Sequence, residues 1–183
     1  ASAGGGGGGG AGSLSLTDLP RYARDELGLF GLNLTTSLLA GADLRKLEMI
    51  REAADKASCP CLVLIESEPQ PMATLDEAKG ATGVERMTRV VQAASRLGCN
   101  SVAMKIVNDD HADAFDYAAE RIREVLKKAD KMDVNVLIAP HDGLTNDPDR
   151  LTELVKKVGG FRIGTLPDFQ TASRAPDPLM YLR

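Results

Sequence analysis

Apolar and polar positions along this chain follow two periods, and from residue 17 onward the period switches back and forth. A 3.6-residue spacing predicts a first helix over 18–27, closed by Gly28. The stretch "FGLNLTT" (30–36) alternates as a strand does. Asp43 then caps a second helix whose Leu44, Leu47, Ile50, Ala54 and Ala57 form one stripe. "CLVLIESE" (61–68) is the next strand. A third helix carries Val84, Met87, Val91, Ala94 and Leu97 and ends at Gly98, which suits a left-handed stop. "SVAMKIV" (101–107) follows as a strand. A fourth helix is striped by Phe115, Ala119, Ile122, Leu126 and Ala129, and "VNVLIAP" (134–140) is the strand after it. Asp147–Pro148 opens a fifth helix that closes at Gly159–Gly160, and "FRIGTLPDF" (161–169) ends the series.

Strand starts lie about 27 to 40 residues apart with a helix between each pair. That spacing demands parallel strands joined by right-handed crossovers, so the fold class is α/β with about five parallel strands. An open doubly wound sheet and a (β/α)8 barrel both satisfy it. No glycine-rich phosphate-binding segment follows any strand, which weakens the nucleotide-binding version of the open sheet.

For a barrel, period-two alternation sorts the side chains of each strand. Val102, Met104 and Ile106 take the helix side, leaving Ser101, Ala103, Lys105 and Val107 toward the axis. Val134, Val136 and Ile138 likewise leave Asn135, Leu137, Ala139 and His141 inward. Leu32 and Leu34 leave Gly31, Asn33 and Thr35. Phe161 and Ile163 leave Gly164, Leu166 and Asp168. The strand at 61–68 is ambiguous, although Glu66 and Glu68 share one face. Polar groups thus collect at the carboxyl ends of strands, where barrels build their sites: Glu66, Glu68, Lys105, His141 and Asp168, with Asn33 nearby. Lys105 pairing with Glu66 or Glu68 is the plain structural alternative. Asp142–Gly143 reads as a turn, and His111, beside Asp109 and Asp110, as part of a solvated helix start.

Composition narrows the function classes. The chain has 183 residues, 43% of them apolar, enough for one full core. Its net charge of −4 gives no footprint for nucleic acid or an anionic membrane. No apolar run reaches the ~18 residues of a membrane span and no signal peptide is visible, so the cytoplasm is the expected compartment. Cys59, Cys61 and Cys99 read as reduced core residues. The glycine-rich segment 1–13 is expected to be disordered, with residues 14–183 forming one domain. Both termini suggest a fragment, whose open strand edges would favour self-association.

Three segments, "LSLTDLPRYARDELGLFGLNL", "VNVLIAPHDG" with the helix before it, and "DPDRLTELVKKVGGFRIGTLPDF", resemble the xylose isomerase-like barrel superfamily, in its sugar phosphate isomerase/epimerase branch. The resemblance covers nearly all of 14–183 and implies a partial (β/α)8 TIM barrel. It also implies a sugar or sugar phosphate as ligand, and a divalent metal, Mg2+ or Mn2+, in the full-length protein but none in this fragment. The metal would polarise a hydroxyl and a carbonyl and stabilise a developing alkoxide or enediolate. Family members end the strand matching "VLIAPHDG" with a metal-binding glutamate, and Ala139 stands in its place. Asp168 matches the next metal-binding aspartate, but Thr171 replaces a histidine three positions on. His141 and Lys105 become the candidate catalytic groups, Asp168 the candidate metal ligand, and Glu66, Glu68 and Asn33 the candidate substrate contacts.

Two readings follow: a sugar isomerase or epimerase completed by residues outside this chain, or a non-catalytic barrel that binds a sugar or a partner protein. Schiff-base chemistry at Lys105 is a weaker third. The abasic-site endonuclease branch would want several histidines and a basic groove; this chain has 2 histidines and a negative charge.

Overall fold

Aspartates start most of the helices. The Asp43 carboxylate accepts the Lys46 N–H, Asp76 that of Lys79, and Asp147 those of Asp149 and Arg150, filling donors that a helix start leaves without partners. The computed structural model describes residues 14–107, 109 and 111–182. In chain order the elements are α1 (Leu19–Asp25), β1 (Leu32–Thr35), α2 (Leu44–Lys56), β2 (Cys61–Ile65), α3 (Glu77–Leu97), β3 (Ser101–Met104) and α4 (Ala114–Asp130). Then come β4 (Asn135–Ile138), α5 (Pro148–Val158), β5 (Ile163–Thr165), α6 (Phe169–Arg174) and α7 (Pro178–Tyr181). Segment 1–13, expected to be disordered, lies outside the described residues.

The five strands form one all-parallel sheet in the order β1-β2-β3-β4-β5, with β1 and β5 as its edges. Five parallel strands alternating with helices fit the partial barrel that the resemblance implies, not closed into a ring. Helix-side residues of the strands form the core: Leu34, Leu64, Val102, Met104, Val136 and Ile138 are each no more than 2% exposed. They meet the stripes predicted for α2, α3 and α4, apart from Leu44, which is exposed, and they also meet Leu151, Leu154 and Val158 of α5, each large aliphatic contributing roughly 1.5–3 kcal/mol on burial. Gly98 closes α3 at φ 80°, the left-handed geometry that a side chain would strain.

The strands are shorter than their apolar patterns at both ends, as β1 from Leu32 and β5 from Ile163 show. Two departures from the sequence reading stand out. His111 is not a solvated helix-start residue: its Nε2 lies 2.7 Å from the Ala73 carbonyl and its ring packs edge-on against Tyr117. Helix α6 is not visible in the pattern, which runs as strand through residue 169. The cysteines are free and buried, as expected. A hydrogen bond with Cys61, and then burial, push the Cys99 thiol far above its ordinary range, so it carries little thiolate.

Candidate functional site

Beyond the last paired residues the ladder continues by single bonds. The Ala139 N–H donates to the Met104 carbonyl at 2.9 Å, and the Leu166 N–H to Ile138 at 2.9 Å. This continuation brings Lys105, Ala139–His141 and Leu166–Asp168 to one carboxyl edge. There they line a single cleft, with Ile65 at one wall and α6–α7 at the other. His141 and Asp168 therefore share the cleft, as inward alternation requires. Its volume of about 1470 Å³ exceeds the ~300–1,000 Å³ of a typical small-molecule pocket, because the cleft runs along the carboxyl ends of β2 to β5 as far as α6–α7.

Three of the sequence candidates do not line the cleft. Glu66 keeps the parity of Leu64 and points to the helix layer, where it is 2% exposed. Its Oε2 accepts from Arg86 Nε of α3 at 2.7 Å, and its Oε1 accepts from the Thr36 hydroxyl and the Glu68 N–H, each at 3.1 Å. Both oxygens of this carboxylate are engaged, so the substrate contact expected of Glu66 is replaced by an internal ion pair. The pairing of Lys105 with Glu66 is likewise not made. Glu68 and Asn33 are exposed, on the loop after β2 and on β1.

Two threonines shape the cleft. Thr145, 1% exposed, accepts the His141 N–H at 3.2 Å, and its hydroxyl lies 3.5 Å from the Ala139 carbonyl. It closes the loop that presents the imidazole, and Gly143 at φ 95° makes the expected turn. Nothing in the sequence marks Thr145, since its partners are backbone groups of the same loop. Thr171 binds Asp168 twice, by its N–H to Oδ1 and its hydroxyl to Oδ2, both at 2.7 Å. Asp168 is thereby the N-cap of α6. Its partial burial opposes ionisation. The Thr171 N–H and hydroxyl, the Gln170 N–H and the positive Lys105 together outweigh that and hold the carboxyl below its ordinary value.

These residues do not make up a divalent-metal site. Position 139 offers a methyl group, position 171 a hydroxyl already given to Asp168, and both Asp168 oxygens take a helix-capping bond. No group of three His, Cys, Asp or Glu side chains among the described residues is arranged to hold a metal ion.

The capping role makes a prediction. Asp168→Asn keeps the cap geometry and removes the charge. Because the folded-state carboxyl ionises below its unfolded value, its charge stabilises the protein above roughly pH 4 and stops doing so as pH falls through the folded value. Thermal melts of the native chain and of Asp168→Asn should differ at pH 7 and converge at strongly acid pH. A pH-independent difference would contradict this account.

Among the described residues no helix is long and apolar enough to cross a membrane. A family model described as xylose isomerase-like TIM barrel matches residues 26–180. A sequence search of curated proteins finds no match. Several solved structures share the fold. A D-psicose 3-epimerase superposes with a TM-score of 0.79 at 16% identity over 90% of this chain and 62% of its own. The 3-keto-D-glucoside 4-epimerase of E. coli gives 0.75 at 14% over 91% and 68%. A probable 3-DHS dehydratase of Bacillus anthracis gives 0.76 at 15% over 94% and 64%. The chain thus spans about three fifths of the length of the first of these, and identities this low speak for fold alone. With the family model covering most of its length, the chain belongs to the xylose isomerase-like TIM barrel family.

Proposed function

We propose that this chain is the ligand-binding part of a cytoplasmic sugar isomerase or epimerase-like barrel that takes a sugar or sugar phosphate in the cleft at its carboxyl edge. One observation carries this reading: polar side chains from three successive strand ends, Lys105, His141 and Asp168, line one cleft. That two barrels of the same fold are sugar epimerases supports it. In this reading His141 hydrogen-bonds a sugar hydroxyl and exchanges a proton with it, its loop held by Thr145. Lys105 offers a cation to a sugar oxygen, and Asp168 fixes the start of α6 along the opposite wall. Asn33 and Glu68, which do not line the cleft, take no part in this reading. Mg2+ or Mn2+ in a longer protein would take most of its ligands from outside residues 14–182. The open β1 and β5 edges, with exposed Phe161 and Phe169, favour self-association of the chain alone.

Titrating the chain with D-psicose and D-fructose should shift backbone amide NMR signals saturably around residues 105, 139–143 and 165–168. His141→Ala should weaken binding about tenfold, the worth of one well-placed hydrogen bond. Shifts absent from these segments would end the proposal. Ala139 and the Thr171–Asp168 cap favour a second reading, a barrel that binds a sugar without turning it over. Stoichiometric metal and turnover in the longer protein would decide against that version.

A further inference from the structure

Resting on the sugar-binding reading above, one carboxylate of the cleft is built to meet a ligand hydroxyl directly. Asp142, Asp147, Asp149, Asp168 and Asp177 all line the cleft. Asp147 and Asp177 each give only Oδ1 to a helix start. Asp142 and Asp149 are exposed, and among the described residues no hydrogen bond or ion pair holds their side chains. Asp168 alone has both oxygens tied, Oδ1 by the Thr171 N–H and Oδ2 by the Thr171 hydroxyl, each at 2.7 Å. Two such bonds fix the plane of the carboxylate. A group ordered before the ligand arrives does not lose side-chain freedom on binding it.

An ionised carboxylate offers about four acceptor positions and donates nothing. The two Thr171 bonds fill two of them and the Gln170 N–H faces a third, so a position is left on a side chain partly exposed in the cleft. His141 stands at the same height. Ile138 pairs with Thr165, and each chain runs on three residues, through Pro140 or Pro167, to His141 on one strand and Asp168 on the other. Among the described residues these two side chains are not bonded to each other. A hydroxyl lying between them donates to the carboxylate and hydrogen-bonds the imidazole. Such a charge-assisted bond is about twice as strong as a neutral one. A divalent cation in the same place would compete with both Thr171 bonds and would meet only a methyl group at Ala139.

We propose that Asp168 binds the sugar itself, accepting one of its hydroxyls with no divalent cation between them, and that Thr171 is the positioning residue that aims the carboxylate.

The test is titration calorimetry of the full chain with D-psicose and D-fructose, run once in EDTA and once in Mn2+, for the native protein, Asp168→Asn, Thr171→Val and Thr171→Ser. The native chain should bind at least one of the two sugars equally well in both buffers. Asp168→Asn should weaken that binding about tenfold or more, the worth of one hydrogen bond to a charged group. Thr171→Val keeps the backbone N–H and loses the hydroxyl, so it should weaken binding severalfold, and Thr171→Ser should restore it. A role confined to capping α6 would lower the melting temperature in Asp168→Asn and Thr171→Val and leave the affinity of the folded protein alone. The Thr171 pair keeps the test open if Asp168→Asn does not fold. Affinity that survives Asp168→Asn, or that Thr171→Val leaves unchanged, overturns the inference and leaves the sugar-binding reading standing. Binding that EDTA removes and Mn2+ restores does the same, by placing a cation between protein and sugar. No binding of either sugar in either buffer removes both.

Discussion

Gly80→Ala should destabilise the protein by roughly 2–4 kcal/mol, although alanine is the better helix former by about 1 kcal/mol. Gly80 lies inside α3, and a β-carbon there would sit closer than 3.0 Å to the guanidinium of Arg121. Arg121, on α4, is 6% exposed and cannot simply swing away. Its Nη1 donates to the carbonyls of Met72 at 2.9 Å and Thr74 at 2.6 Å, pinning the loop between β2 and α3, and its guanidinium lies 5.0 Å from the centre of the Tyr117 ring. Displacing it strands two carbonyls on a loop whose Met72 and Ala73 are fully buried. Hydrogen bonds to charged donors are worth about 1.5–3 kcal/mol each, so two of them outweigh the helix gain. For a chain of this size the melting temperature should fall by roughly 5–15 °C.

A double-mutant cycle separates this cause from a general intolerance of α3. Arg121→Ala alone should cost about as much as Gly80→Ala. The three atoms nearest that β-carbon all belong to the guanidinium, so adding Gly80→Ala to Arg121→Ala should cost nothing or return up to about 1 kcal/mol. The sign of the glycine substitution must change with the background. An equal penalty in both backgrounds would show that something other than Arg121 forbids the methyl group.

The fold is legible in the sequence where one periodic pattern serves one burial demand. Leu47, Ile50, Met87, Val91, Ile122 and Leu126 pack where 3.6-residue spacing puts them, because a helix over a sheet has one apolar stripe to bury. The cleft is legible in part for a similar reason: inward parity holds through Lys105, His141 and Asp168 because the parallel register continues past the paired residues. Glu66 escapes the pattern because its place depends on a partner twenty residues later. Arg86 has no signal that tells a buried ion pair from a solvated helix face, and the strand pattern by itself cannot choose a side. Helix α6 is hidden because its start is made by two contacts between Asp168 and Thr171, in a stretch whose apolar residues also fit a strand. The loop made by Thr145 lies beyond any periodic rule, since side chain to backbone bonds within a turn leave no repeat to detect.

The Glu66–Arg86 pair leads to an asymmetric result. Arg86→Met should cost about 2–3 kcal/mol, whereas Glu66→Gln should cost about 1 kcal/mol or less. Removing one partner of a buried pair typically costs about 3–5 kcal/mol, because the other charge stays behind without compensation. Here Glu66 retains the Thr36 hydroxyl and the Glu68 N–H, which places the cost below that range. The reverse change strands Arg86, whose side chain is 42% exposed against 2% for Glu66, and water can solvate it. The amide introduced by Glu66→Gln would keep the volume and the bond to Thr36. The double variant Glu66→Gln with Arg86→Met should be more stable than Arg86→Met alone, since it removes the stranded charge. Chemical denaturation of the four proteins measures all of this. Equal costs for the two single variants would mean that solvent reaches both partners alike. Because Thr36 follows β1 and Glu68 follows β2, loosening this carboxylate also frees the rim beside Asn33, and hydrogen exchange there should speed up in Arg86→Met well before the core around Met104 responds.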